Sequence, residues 1–325
     1  MIDFSDVEGI SEELAEVNQH INRLLFTRNE SMNAVMQWIL ASRGKQIRPL
    51  LVLLCSRLNK NHVDVTEMAA IIEICHTASL VHDDVIDDAD ERRGQLSVQR
   101  KFGREMAVYA GDFMIFATLG RTDLRLKPWY RDMFSNLEVM CEGELSQFDH
   151  QYDTFITEDQ YIQNVIGKTS SMFTIACVSG CYEGKCTDRQ IQMMRDFSRD
   201  FGLFFQLRDD LMDFLSCTEE SKKSVQSDFR SGYYTLPAIV CFQDPEKGNE
   251  LRSLAGKCRQ GCKDHFDSAT MCKLIRDAGG FEYTYNKIQN YANVLKKDLE
   301  VFPQTPARDK LIELVEYLKK TTPQP

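Results

Sequence analysis

Ala70-Ile71-Ile72-Glu73-Ile74-Cys75-His76-Thr77-Ala78-Ser79-Leu80-Val81-His82-Asp83-Asp84-Val85-Ile86-Asp87 decides the fold. The run has no Gly or Pro, is too long for an ordinary strand, and is largely apolar on every side up to Val81. That pattern predicts a buried helix. It ends in D-D-x-x-D, and residues four apart on a helix share a face. Asp83 and Asp87 therefore point the same way. The chain repeats the design at Phe201-Gly202-Leu203-Phe204-Phe205-Gln206-Leu207, which runs through Arg208 into Asp209-Asp210-Leu211-Met212-Asp213.

Outward from these two segments, apolar residues recur at spacings of three and four over 12–25, 31–40, 50–58, 65–83, 105–119 and 131–148. The same spacing continues over 158–179, 188–215, 235–242, 269–278, 281–299 and 307–319. Strand-like alternation is scarce, and Pro is confined mostly to junctions. The expectation is an all-α chain, one domain over residues 1–325 with about a dozen helices, larger than a four-helix bundle. No fixed-period repeat or low-complexity tract is present.

The formal charge is −10, which argues against a nucleic-acid binder held by general electrostatic attraction. No apolar run approaches the ~20 residues a membrane span needs. Met1 to Glu13 is acidic and lacks an apolar core, so a cytoplasmic location is expected. The 11 cysteines then read as reduced, helix-borne thiols. Neither Cys177, Cys181 and Cys186 nor Cys258, Cys262 and His265 has zinc-site spacing.

An acidic protein binds a phosphate through localised cations or through metal ions that its own carboxylates capture. Each D-D-x-x-D alone reads as a solvated charged face. Packing several carboxylates at the end of a buried helix, however, needs counter-ions. Mg²⁺ takes one or two carboxylates together with substrate phosphate oxygens. Two such faces across a cavity would hold several ions around a diphosphate. Cations are at hand in Lys45 and Arg48 (Gly44-Lys45-Gln46-Ile47-Arg48-Pro49), in Arg92-Arg93, in Lys168 and in Lys223. Arg gives fork-like bonds to phosphate, and Lys a point charge. His76 reads either as a donor to a diphosphate or as a satisfied core histidine. Gly167-Lys168-Thr169-Ser170 is not a P-loop, because Ile162 stands where that motif needs Gly.

Together these residues resemble the trans-isoprenyl diphosphate synthase (polyprenyl synthetase) family from about Gly44 to Pro237. The family's signatures occur in order: Gly44-Lys45-x-x-Arg48-Pro49; His82-Asp83-Asp84-x-x-Asp87 with Arg92-Arg93-Gly94; Ala110-Gly111-Asp112; Gly143-Glu144-x-x-Gln147; Lys168-Thr169; Phe205-Gln206-x-x-Asp209-Asp210-x-x-Asp213; Thr235-Leu236-Pro237. The resemblance implies an isoprenoid synthase-like fold around a central active-site cavity. It also implies two or three Mg²⁺ ions held by Asp83, Asp87, Asp209 and Asp213. Asp84, Asp210, Arg92 and Lys168 would share in catalysis. Lys45, Arg48, His76 and Arg93 would hold isopentenyl diphosphate, and Arg92, Lys168, Thr169, Gln206 and Lys223 the allylic diphosphate. The family is usually dimeric, so a homodimer is the default and a heterodimer the alternative. Contact with a membrane surface would come through the product. One departure stands out. Many members read G-x-D-x-x-x-G-K-x-T-L-P after the second cluster; here Gln226 replaces the first Gly and Tyr233 the Lys, so one diphosphate-binding cation is either missing or supplied elsewhere, with Arg230 the candidate.

The family comparison further implies ionisation of the allylic C–O bond, attack by the isopentenyl double bond, and loss of a proton with no protein nucleophile. Ala78 and Ser79, five and four residues before Asp83, are small where short-chain members carry an aromatic floor. A helical turn rises 5.4 Å, close to one isoprene unit. A product of hexaprenyl to octaprenyl length is expected, with the floor deeper, near Met114 and Phe116 or near Ile71 and Ile72. Ala78→Tyr should shorten it. The rival readings are a class I terpene cyclase, which would not need Lys45, Arg48 and Arg93, and a catalytic subunit that requires a different partner chain.

Overall fold

The computed structural model describes residues 7, 9–42, 44–61, 63–123, 127–215, 227–260 and 267–325. They are mostly helical, with one pair of two-residue strands, and group into two compact units.

The first unit comprises Met1–Phe134, Ile175–Met194 and Phe302–Leu311. It contains α1 (Ile10–Leu25), α2 (Glu30–Ala41), α3 (Ile47–Cys55), α4 (Thr66–Ile86), α5 (Val98–Phe102) and α6 (Arg104–Arg121). α4 is the long apolar segment quoted above. It packs on α1, α3 and α6, as a helix without a polar stripe must. α2 starts where the Asn29 side chain accepts the Met32 amide, which satisfies one of the orphan donors of a helix start. Between α4 and α5 the chain makes a short hairpin that pairs Glu91 with Leu96 and Arg92 with Gln95. Its two turn residues, Arg93 at φ 54° and Gly94 at φ 77°, are both left-handed, as a type I′ turn requires. The Arg-Arg-Gly sequence is thus a turn that sends Arg93 back from the end of α4. No alternating pattern this short was legible as strand.

The second unit comprises Ser135–Thr174, Arg195–Val301 and Ile312–Pro325. The helices from here on are α7 (Tyr130–Asp149), α8 (Glu158–Val165), α9 (Ser171–Glu183), α10 (Asp188–Leu215), α11 (Ser227–Arg230), α12 (Leu236–Phe242), α13 (Lys247–Arg259), α14 (Ser268–Asp277), α15 (Gly280–Asp298) and α16 (Pro306–Lys320). Thr157 and Gln160 form a reciprocal capping box at the start of α8. The segment expected as one helix over 158–179 is interrupted by a π-turn at Ile166–Ser170. Glycines make room for it. A Cβ on Gly143 of α7 would lie 2.6 Å from the Gly167 Cα, and one on Gly202 of α10 would lie 2.5 Å from the Ser170 Cα. α10 is anchored by Phe197, Phe201 and Phe204, all fully buried, with Phe173 set edge-on to Phe201 at 5.1 Å. Pro237 sits in the first turn of α12, where its missing N–H is harmless. α13 was not anticipated, because Lys247 to Arg259 is too polar to show an apolar stripe.

Candidate active site

The last turn of α4 sorts the aspartates of the first cluster. Asp84 is 2% exposed and accepts two bonds from Arg92, Nε at 2.8 Å and Nη2 at 2.5 Å. Asp83 is half-buried and Asp87 exposed; they share a face by the helical period. The remaining acids have their own arginines. Asp88 faces Arg104 at 3.5 Å and Asp90 faces Arg100 at 3.1 Å, while Arg104 Nη2 donates to the Val85 carbonyl at 3.0 Å. Burial pushes the Asp84 carboxyl up, and the bond and charge of Arg92 oppose the shift.

The second cluster, in the last turns of α10, resolves the same way. Asp210 is 5% exposed and accepts from the Tyr161 hydroxyl at 2.6 Å and from Gln206 Nε2 at 2.7 Å. Gln206 Oε1 accepts in turn from the Thr169 hydroxyl at 2.9 Å. A hydrogen-bonded chain therefore runs from the π-turn to the inner aspartate. Burial pushes Asp210 up to about 7, the two hydrogen bonds pull it down, and the charges of Asp228 and Asp209 add to the rise. Asp209 is exposed, with Arg208 Nη1 at 3.2 Å, and Asp213 is half-buried. Asp209, Asp210, Asp213 and Asp228 line one open cavity of about 160 Å³, together with Gln206, Thr235, Phe214 and Phe229. Lys168, within the π-turn, pairs with Glu144 at 2.9 Å. Lys223 and Gln226 lie outside the described residues. Tyr233, in the place of the usual Lys, donates its amide to the Asp228 carbonyl at 2.8 Å.

In the first unit the cations converge on α4. Gln46, left-handed at φ 51°, turns the chain into α3. Arg48 Nη1 then lies 2.9 Å from His76 Nε2. A guanidinium only donates, so Nε2 accepts and His76 carries its proton on Nδ1. In this arrangement His76 orients Arg48, and the donor role considered for it would need that bond to open. Burial pushes His76 well below its ordinary value, helped by Arg48, Arg93 and Arg92. Burial also lowers Arg48 to about 10, opposed by the charge of Glu73. Glu73, 7% exposed, is a buried counter-charge to Arg48 and Arg93 that the sequence reading passed over. The Arg93 guanidinium rests against Gly44, where a Cβ would lie 2.5 Å from Nη2, and it donates to the Ser42 carbonyl at 3.3 Å. Lys45 is exposed.

Of the two chain-length positions, Ala78 is fully enclosed, whereas Ser79 is half-buried and bonds the His76 carbonyl at 2.8 Å. Met114, Ile71 and Ile72 are each 1% exposed, but Phe116 is 66% exposed, so the expectation of an interior floor at Phe116 is corrected: an exposed ring closes no interior pocket. Met114 does line a small cavity with Thr77, Ile74, Ile21 and Leu25.

The donor set fits a hard divalent cation. The cavity in the second unit offers carboxylate, amide and hydroxyl oxygens and no sulfur. Among the described residues no three His, Cys, Asp or Glu side chains form a metal cage of their own. Among the same residues, no helix is long and apolar enough to cross a membrane. Tyr161 carried no role in the sequence reading, and Asp228 and Thr235 entered it only as the Asp and Thr of the G-x-D-x-x-x-G-K-x-T-L-P pattern.

The polyprenyl synthetase family model matches residues 29–271. The chain is 32% identical to octaprenyl diphosphate synthase of Escherichia coli (strain K12) over 313 residues, covering 94% of this chain and 95% of that one. It is 26% identical to heptaprenyl diphosphate synthase component 2 of Geobacillus stearothermophilus, with 96% of both chains covered. Among solved structures, decaprenyl diphosphate synthase from Rhodobacter capsulatus superposes with a TM-score of 0.89 at 25% identity, covering 98% of each chain. A polyprenyl synthase from Caulobacter crescentus CB15, complexed with calcium and isoprenyl diphosphate, gives 0.88 at 26%, covering 98% of this chain and 97% of that one. With three quarters of its length matched by the family model, and 94% and 96% of it covered by the two relatives, the chain belongs to the polyprenyl synthetase family.

Proposed function

We propose that this chain is a trans-polyprenyl diphosphate synthase. It condenses an allylic isoprenyl diphosphate with isopentenyl diphosphate, releases diphosphate and builds a long all-trans chain. The observation that carries this reading is the shared design of the two clusters: each buries its central aspartate in hydrogen bonds and leaves two carboxylates a helical turn apart on the more open side. The reading assigns Mg²⁺ to Asp83 and Asp87 and to Asp209 and Asp213, with Asp84 and Asp210 holding those pairs in place. Metal bound there would neutralise charge developing on the departing diphosphate. Lys45, Arg48 and Arg93 hold isopentenyl diphosphate by fork-like and point-charge contacts, and His76 and Glu73 orient the arginines. Arg92, Lys168, Thr169 and Gln206 serve the allylic diphosphate, and Lys223 is assigned with them by family position. Holding the two substrates close and aligned supplies much of the acceleration. Ala78 and Ser79 set the mouth of the tail path.

Residues 1–325 act as one functional domain. A homodimer is the proposed assembly, and likeness to a protein named component 2 supports a heterodimer as the second reading. The test is diphosphate release in single turnover. The proposed reaction requires both substrates and Mg²⁺. Release from the allylic diphosphate alone, with a hydrocarbon product, would instead establish a cyclase.

A further inference from the structure

The segment that brings Asp228 and Thr235 to the carboxylate cavity of the second unit is held by an aromatic clamp. Residues 228–235 fold on themselves: the Gly232 amide donates to the Phe229 carbonyl at 3.1 Å and the Tyr233 amide to the Asp228 carbonyl at 2.8 Å. Two residues just beyond α7 then grip the loop from outside. The Tyr152 amide donates to the Gly232 carbonyl at 2.8 Å, and Gln151 Nε2 donates to the Ser231 carbonyl at 2.8 Å. The Tyr152 ring abuts Gly232, where a Cβ would sit 2.6 Å from two of its ring carbons, and Arg259 stands 6.0 Å over the ring. Gly232 itself is left-handed at φ 85°. Tyr152 is left-handed too, at φ 62°, an unfavourable conformation for a bulky side chain. Strain of this kind persists where the surrounding contacts demand it. A glycine would satisfy the backbone at 152 but would remove the ring.

We propose that Tyr152 is a positioning residue: its ring and amide fix the 228–235 loop so that Asp228 and Thr235 complete the oxygen-lined cavity beside Asp209 and Asp213. The inference deepens the metal assignment above and rests on it.

The test isolates the second cavity. In an Asp83→Asn, Asp87→Asn background, Mn²⁺ binding to the full chain is titrated by electron paramagnetic resonance, and amide hydrogen exchange of 228–235 is measured alongside. Tyr152→Gly is expected to weaken Mn²⁺ binding about tenfold and to raise exchange across the loop, with the thermal midpoint held close to the parent's because the backbone strain is relieved. Tyr152→Phe, which keeps the ring, retains the parent affinity. Unchanged Mn²⁺ affinity in Tyr152→Gly overturns the clamp, as does a loss in Tyr152→Phe equal to that in Tyr152→Gly. Absence of Mn²⁺ binding in the parent background overturns the clamp together with the metal assignment on which it depends.

Discussion

Gly143→Ala is the most revealing single substitution. A Cβ at this position would lie 2.6 Å from the Gly167 Cα, 2.7 Å from the Lys168 amide nitrogen and 2.8 Å from the Gly167 carbonyl carbon. All three are backbone atoms, so no side chain can swing aside. Carbon atoms sit comfortably at about 3.5–4.0 Å, so α7 and the π-turn must part by about 1 Å. Overpacking of this kind destabilises by about 1–3 kcal/mol. With an unfolding entropy near 2.1 cal/mol/K per residue, a chain of 325 residues loses roughly 1.5 °C of Tm per kcal/mol, or about 1.5–4.5 °C in all. The same movement stretches the 2.9 Å contact between Lys168 and Glu144 beyond hydrogen-bond reach. A misplaced Lys168 should lower kcat/KM for the allylic substrate by about 10- to 100-fold. Differential scanning calorimetry and steady-state kinetics measure both effects. Gly256→Ala is the control. It lies inside α13 with nothing within 4 Å of an added Cβ, and it should gain about 0.5–1 kcal/mol. If Gly143→Ala were as stable and as active as Gly256→Ala, the close backbone approach would not be what places Lys168.

Asp84→Asn and Asp83→Asn should part company. Losing the buried partner of Arg92, whose side chain is 39% exposed, should cost about 2–3 kcal/mol, below the range for a fully buried pair, in urea unfolding. Asp83→Asn should unfold like the parent yet lower kcat by about 10²-fold or more. His76 makes stability depend on pH: its folded value is well below 6.5, so below pH 6.5 the unfolded chain binds more protons. Stability should therefore fall as the pH drops through 6.5 and level off below the folded value, and His76→Asn should flatten that limb in urea titrations. Ser79→Phe places an aromatic at the half-open position of α4 and should shorten the product on chromatography, whereas Ala78→Tyr, at a fully enclosed site, should lose about 1–3 kcal/mol as well. Chelation with EDTA should abolish turnover, and Mg²⁺ should restore it.

Most helices were legible because their apolar period is strong: residues 188–215 were read as one helix, and α10 runs over the same span. The D-D-x-x-D clusters and the Gly44–Pro49 cations were likewise visible as residue types at fixed spacing. Tertiary features escaped. The π-turn at 166–170 depends on glycines at 143 and 202, which are distant in sequence. α13 carries too few apolar residues to show a face. The helical period set Asp83 and Asp87 apart from Asp84, but that the central aspartates are buried, on Arg92 and on Tyr161, needed the structure. Phe116 illustrates the limit of periodicity, which places a ring on a helix but does not say which side of that helix meets solvent.

The most direct measurement is an incubation of the purified chain with farnesyl diphosphate, labelled isopentenyl diphosphate and Mg²⁺, with the extracted products sized by chromatography. The account predicts a ladder that ends at one long prenyl diphosphate, of hexaprenyl to octaprenyl length. Folded protein that incorporates no label, alone or with a second subunit added, would contradict it.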